Sequence, residues 1–236
     1  NLEALTPMNV AVILARGGSK RIPKKNIKFF CGKPIIAWTI ELAKKSNLFD
    51  RIIVSTDDAK IAEISKSYGA EVPFMRPSKF SDDNSDTLEV MSHAVSWMNK
   101  NSWKTQSVCC MYGTSVFFTI DDIKKAFEIF KTNEWTYVFS VTDFEYPIFR
   151  SFKQLKKGGV EMFFPENYNK RSQDLPLALH DAAQFYFGNP DAWLRSAQLF
   201  EQYSYPVKIP QWRVQDIDTK DDWKRAELIY QQIKES

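Results

Sequence analysis

Five basic side chains crowd into one short stretch near the start of the chain: Arg16, Lys20, Arg21, Lys24 and Lys25, set around Gly17, Gly18 and Ser19 and closed by Asn26. Two glycines let a backbone approach a ligand closely. Backbone N–H groups beside Lys and Arg suit a polyphosphate. Neither GxxxxGK[ST] nor GxGxxG is present, which disfavours a Walker loop and NAD. The bland alternative is a solvated basic loop. Position argues for the ligand. The stretch follows residues 10–15, a continuous apolar run that reads as a strand buried on both faces. In open α/β sheets, ligands bind beyond the carboxyl ends of such strands.

About two hundred residues later stand Asp216, Ile217 and Asp218. In an extended segment residues i and i+2 point to the same face, so the two carboxylates can converge on one hard cation. Magnesium is held by one or two carboxylates plus substrate phosphates and water. Facing a basic phosphate loop, that arrangement makes chemical sense. The local alternative is that Asp218 or Thr219 only caps the last helix.

The elements that must position these groups alternate. Pro34 opens a helical pattern, residues 51–56 read as a strand, and Asp57 or Asp58 caps a helix that runs to about Tyr68 and ends at Gly69. A short third strand is expected at 72–75, a polar loop at 76–87 and a helix at 87–101. Residues 108–112 form a strand with Cys109 and Cys110 on opposite faces, Thr119 or Asp121 caps a helix ending near Thr132, and 135–141 is a strand. Short aromatic β-like pieces then surround the Lys156-Lys157-Gly158-Gly159 turn, so 143–180 is expected to be an inserted β-rich excursion. The rhythm returns at 182–187, continues in a helix after Pro190 and closes with a helix from about Thr219. This predicts one α/β domain over 8–236, with helices on both faces of its sheet.

Composition narrows the classes. Lys plus Arg is 32 and Asp plus Glu 29 in 236 residues, a net charge of +3, too balanced to imply nucleic acid or an anionic membrane. No apolar run reaches the roughly 18 residues of a membrane helix, and no signal-peptide pattern is present. Cys31, Cys109 and Cys110 make neither a disulfide framework nor a zinc spacing, so a reducing cytoplasm is expected. Residues 1–7 are read as a cloning remnant before a native start at Met8.

Ala15-Arg16-Gly17-Gly18-Ser19-Lys20, then Ile22-Pro23-Lys24-Lys25-Asn26 and Gly32-Lys33-Pro34-Ile35-Ile36-Ala37-Trp38-Thr39-Ile40, resemble the opening of the cytidylyltransferases that activate nonulosonic, sialic-type acids. Arg51 to Asp58, Arg76-Pro77, Ser81-Asp82-Asp83 and the stretch from Gln215 to Trp223 extend the resemblance. It implies a Rossmann-like nucleotide-diphospho-sugar transferase fold, with CTP as substrate and Mg²⁺ as cofactor. It implies CTP contacts at Ala15, Arg16, Gly17, Gly18, Ser19, Lys20, Lys25, Asn26, Asp83 and Thr114, and Mg²⁺ on Asp216 and Asp218. Arg16, Lys25, Asp216 and Asp218 are then expected to carry catalysis.

Four further pieces resemble the pseudaminic acid branch rather than the common sialic acid one: Ser140-Val141-Thr142, Tyr146-Pro147-Ile148-Phe149-Arg150, Arg171-Ser172-Gln173-Asp174-Leu175-Pro176, and the stretch from His180 to Gly188, the last two carrying the judgement. Arg171, Gln173, His180, Asp181, Gln184 and Tyr186 are the expected sugar-acid contacts. Arg suits the carboxylate, and the others suit hydroxyls and amides. Equally open is that His180 is a structural histidine and that Gln184 points into a strand pair. The resemblance implies a homodimer through the 143–180 excursion. The expected reaction joins CTP and the sugar acid into a CMP-sugar and pyrophosphate, for surface glycan or flagellin glycosylation. N-acetylneuraminic and legionaminic acids are the rival acceptors. A non-catalytic nucleotide-sugar binder is the rival of another class. The chain departs from the family at Gly113 and Val116, where prolines are usual, and Gly113 predicts a looser turn.

Overall fold

The computed structural model describes residues 6–82 and 85–235. Its first strand, β1 (Met8–Leu14), is buried along most of its length, as its run of Val, Ile and Leu requires. A two-residue hairpin, β2 (Phe29–Phe30) and β3 (Lys33–Pro34), leads into α1 (Ile35–Ser46), with Pro34 at the N-cap. β4 (Arg51–Ser55) follows, and Asp58 caps α2 (Ala59–Ser67) by accepting from the N–H groups of Lys60 and Ile61 at 2.8 and 3.0 Å. Gly69 leaves the helix at φ +89°, the left-handed region a glycine enters without strain.

No third strand forms at 72–75. Glu71 and Met75 make single parallel bridges to Ile53 and Thr56, and Pro73 between them has no N–H for a ladder. α3 (Thr87–Lys100), β5 (Thr105–Tyr112) and α4 (Ile120–Phe130) come next. Thr119, not Asp121, caps α4, in a reciprocal capping box with Asp122. β6 (Tyr137–Asp143) precedes an antiparallel hairpin, β7 (Phe152–Gln154) and β8 (Val160–Met162), that contains the Gly158-Gly159 turn. β9 (Leu179–Gly188), the short α5 (Pro190–Leu194), β10 (Ser204–Lys208) and α6 (Lys220–Glu235) complete the chain.

The six-stranded sheet has the order β10-β6-β9-β5-β1-β4. It is mostly parallel, with β9 antiparallel to both neighbours. β10 carries Pro206, which an edge strand tolerates because one side of its ladder is unpaired. One apolar layer, under α1, α2 and α4, holds Cys109. The opposite layer, under α3 and α5, holds Cys110. A third cluster seats α6 through Trp223, Ala226 and Tyr230 against Phe30, Val116 and Phe117. Among the described residues, no helix is long and apolar enough to cross a membrane.

β9 carries a bulge where it pairs with β6. Phe139 pairs with Tyr186 and Val141 with Asp181, so residues 182–185 all stand opposite Ser140. Ala183 sits at φ +53°, a conformation that costs a non-glycine residue about 1–3 kcal/mol. Side chains replace the lost ladder. Ser140 Oγ accepts from the N–H groups of Gln184 and Phe185 at 3.0 and 3.2 Å, and Asp181 Oδ1 accepts from Ala183 N at 2.8 Å. Bulges of this kind re-aim side chains beside functional sites.

Candidate active site

β1 and β5 end side by side, and the loops that leave them wall a cleft of about 350 Å³. Leu14 ends β1, Arg16, Lys25 and Asn26 come from the connection after it, Tyr112 ends β5, and Gly113 and Thr114 follow it. Arg76, Asp82, Ser85, Thr87 and Val90 complete the lining with Ala183 of the bulge and Asp216. The volume is that of a small-molecule site.

The basic loop is fixed by the rest of the chain. Gly17 N–H donates to Asp57 Oδ1 at 2.9 Å, and a Cβ on Gly17 would stand 2.8 Å from Asp58 Cβ, so only glycine fits. Arg16 donates to the Asp82 carbonyl at 2.9 Å. Asn26 is buried and donates to the Arg16 carbonyl at 3.0 Å. Lys25 Nζ reaches across to the Ile217 carbonyl at 2.7 Å and to Asp218 Oδ1 at 3.5 Å. Arg21 holds the other oxygen of Asp218 at 2.8 Å.

The alternation expected of the acidic segment is present. Ile217 is buried among Ile22, Val116, Phe117 and Trp223, while Asp216 lines the cleft and Asp218 lies on Lys25 and Arg21. Thr219 rather than Asp218 caps α6. Its Oγ1 accepts from Asp222 N at 3.1 Å, and Asp222 Oδ2 accepts from Thr219 N at 2.7 Å. Partial desolvation, then repulsion from Asp218, raises the proton affinity of Asp216, and Lys25 pulls it the other way. Among the described residues no three His, Cys, Asp or Glu converge on a metal site. Two hard carboxylate donors beside Lys25 and Arg21 are nevertheless a set that a magnesium ion could share with a triphosphate.

Arg16, Lys25, Asn26, Thr114 and Asp216 therefore meet in one cleft. Gly17, Gly18, Ser19 and Lys20 lie outside the ring of residues that lines it, and Ala15 is buried in the core with its N–H on the Ser55 carbonyl. Asp83 lies outside the described residues.

The expected sugar-acid residues divide. His180 and Asp181 border a second cavity of about 640 Å³, with Phe139, Leu179 and Phe200. His180 Nδ1 is 2.9 Å from the Asp181 carbonyl, and Phe144 packs on its ring. Tyr186 is buried and donates to Asp181 Oδ2 at 2.6 Å. Gln184 is 3% exposed and spends both ends of its amide on the chain, accepting from Phe117 N and donating to the Ala182 carbonyl. It ties the bulge to the loop after β5. Arg171 is exposed and forks onto Asp174, and Gln173 lies on a separate surface with Tyr146 and Pro147.

Among the lining residues not expected as contacts are Arg76, which the sequence offers only as part of a resembling loop, Tyr112 and Thr87. Arg76 is buried, with its guanidinium on the Ser55 carbonyl at 2.6 Å and its Nε without a partner; burial lowers its pKa. Tyr112 and Thr87 share a 2.9 Å hydroxyl contact. Tyr112 stands at the carboxyl end of β5, a position that the strand-end rule could have flagged.

Residues 10–231 match the family described as Cytidylyltransferase. The chain belongs to the cytidylyltransferase family. It is 41% identical, over 97% of its length and 98% of the relative's, to a pseudaminic acid cytidylyltransferase of Campylobacter jejuni subsp. jejuni serotype O:2. It is 33% identical to the N-acylneuraminate cytidylyltransferase A of Danio rerio, over 92% of this chain and 49% of that protein. A CMP:2-keto-3-deoxy-manno-octonic acid synthetase complexed with CTP shares the fold, with a TM-score of 0.70 at 15% identity over 95% of this chain and 99% of that one.

Gly113 does not loosen this cytidylyltransferase cleft. Its N–H donates to the Leu14 carbonyl at 3.0 Å and its carbonyl accepts from Thr39 Oγ1 at 3.1 Å. A Cβ there would lie 2.3 Å from Asn26 Oδ1. Close approach, not flexibility, requires the glycine, and Val116 packs in the cluster that holds Ile217. Gly113→Ala is expected to push Asn26 off Arg16, to cost about 1–3 kcal/mol and to raise KM for CTP. Thermal unfolding and CTP saturation curves check this; an unchanged KM would mean that Asn26 does not serve the nucleotide.

Proposed function

We propose that this chain transfers the cytidylyl group of CTP to pseudaminic acid, giving CMP-pseudaminic acid and pyrophosphate. The observation that carries the reading is the meeting of Arg16 and Lys25 with Asp216 across one cleft, from opposite ends of the sequence. The oxygen of the sugar's anomeric hydroxyl attacks the α-phosphorus and its proton passes to solvent, the bond from that phosphorus to the bridging β-phosphate oxygen breaks, and pyrophosphate leaves with that oxygen. Such a transfer needs in-line positioning and charge neutralisation rather than covalent help. Arg16 and Lys25 offset phosphate charge. Asp216 and Asp218 would hold Mg²⁺, which supplies polarisation of phosphoryl oxygens and stabilisation of the leaving group.

The sugar acid is assigned to the surface that runs from the cleft to the second cavity. Tyr112, Tyr186, Phe139 and Phe200 form an aromatic row between the two, with successive ring centroids 5.9, 6.1 and 5.5 Å apart. The exposed ring of Phe200, backed by the buried Phe139 and Tyr186, suits the apolar face of an acylated, deoxygenated sugar, and His180 and Asp181 offer polar edges. The exposed Tyr146, Phe152, Val160, Phe163 and Tyr168 of the 143–180 excursion suit a homodimer contact. The cytoplasm is the proposed compartment, in keeping with three free cysteines.

Pyrophosphate release with CTP and Mg²⁺ tests this, with pseudaminic, N-acetylneuraminic and legionaminic acids run in parallel. Release with pseudaminic acid is expected. Release only with another acid would keep the chemistry and overturn the acceptor. No release with any acid, and no rise in Tm on adding CTP, would overturn the nucleotide reading.

A further inference from the structure

We propose that Arg213 and Asp122, neither of which lines the cleft, are positioning residues that set the Asp216 and Asp218 carboxylates in register with the nucleotide-binding turn after β5. The inference rests on the reading of those carboxylates given above.

Arg213 is 7% exposed. Its Nη1 donates to Asp122 Oδ2 at 2.7 Å and to the Phe117 carbonyl at 3.2 Å, and its Nη2 donates to Asp122 Oδ1 at 3.2 Å. Asp122 Oδ2 also accepts from Thr119 N and Oγ1 at 2.7 and 2.9 Å. One carboxylate thus joins two connections. The first, residues 113–119, carries Gly113 and Thr114 of the cleft. The second, residues 209–219, carries the acidic pair.

Each connection is short, so an anchor in it is felt at the site. Asp216 follows Arg213 by three residues, a reach of at most about 10–11 Å of chain. At the far end the acidic segment is pinned by the buried Ile217 side chain and by Lys25 on the Ile217 carbonyl. Arg213 is the matching pin at the near end. A buried ion pair is a poor source of net stability, because desolvation offsets much of its attraction. A forked guanidinium does, however, fix distance and plane together, which an apolar contact does not. The pair is therefore better explained by the geometry it imposes than by the stability it adds.

The test uses Arg213→Lys and Asp122→Asn, with Asp216→Asn as reference. Lysine keeps the charge and loses the fork. Asparagine keeps an acceptor for Thr119 and loses the charge. Each variant is followed by thermal unfolding, by steady-state kinetics and by Mn²⁺ binding in the presence of CTP, read by electron paramagnetic resonance. Folded Arg213→Lys is expected to lose at least about tenfold in kcat and in Mn²⁺ affinity, as outer-shell supports of metal sites do. KM for CTP should stay within about twofold, because the phosphate-binding side chains are untouched. If Arg213→Lys does not fold, Asp122→Asn is judged by the same numbers. Wild-type kcat and Mn²⁺ affinity in a folded variant, whatever its Tm, would overturn the proposal and leave a purely structural pair. An Asp216→Asn variant as active as wild type would instead overturn the reading of the carboxylates, and the inference with it.

Discussion

Asp216→Asn is expected to lower kcat by about 10²–10³-fold while leaving the protein folded. Asp216 is the member of the acidic pair that lines the cleft, whereas Asp218 is ion-paired to Arg21 and Lys25. Its proton affinity is raised, first by desolvation and then by Asp218. A carboxylate whose folded pKa lies above its unfolded one opposes folding at neutral pH, and the penalty lifts as pH falls through the folded value. Asparagine removes that charge, so the Tm of the variant should equal or exceed that of wild type at pH 7. Loss of turnover with a retained or raised Tm separates a group kept for chemistry from one kept for stability. Steady-state kinetics and thermal unfolding at pH 7 check both halves. Wild-type turnover would remove Asp216 from the mechanism.

Lys25→Met should reduce kcat/KM for CTP by about 10²-fold. This lysine has two duties. It lines the cleft, and its ammonium ties the basic loop to the acidic segment through the Ile217 carbonyl at 2.7 Å and Asp218 at 3.5 Å. Methionine keeps the aliphatic stem and removes both. A loss confined to KM would mean that Lys25 only binds the triphosphate. A loss in kcat as well would mean that it acts on the transition state or through the carboxylates it braces. Lys25→Arg keeps the charge but not the point contact on Ile217, so partial recovery is expected in KM and little in kcat. An unchanged response to CTP in Lys25→Met would count against the whole loop assignment.

Much of this site was legible along the chain because its determinants are local. An apolar run with two glycines and clustered cations after it needs no distant contact to be read. Nor does the alternation at 216–218, where the buried Ile217 turns its acidic neighbours outward. The helix starts at Asp58 and Thr119 were readable for the same reason, since a cap bonds within its own turn. Errors fell where a residue's meaning depends on something far away. Gly113 read as a source of freedom and is a consequence of Asn26 arriving from eighty-seven positions earlier. Residues 72–75 are apolar enough to read as a strand, but Pro73 lacks the donor a ladder needs, and β10, not expected from the sequence, holds Pro206 only because it is an edge.

The types, spacing and order of the chemical groups, and so the kind of chemistry, were set by the linear chain. The direction of β9 was not, because a buried apolar run reads alike in either sense. Nor was its bulge, whose N–H groups are satisfied by Ser140 on a different strand. Nor were the partners of Gln184 and Tyr186, because a polar side chain takes whichever partner burial leaves it. Arg213 shows the limit most plainly. Nothing in its neighbours announces a role, and its partner lies 91 residues away. Local bonds are chosen by local residues. Which buried charges meet is decided only when the sheet and its connections close around them.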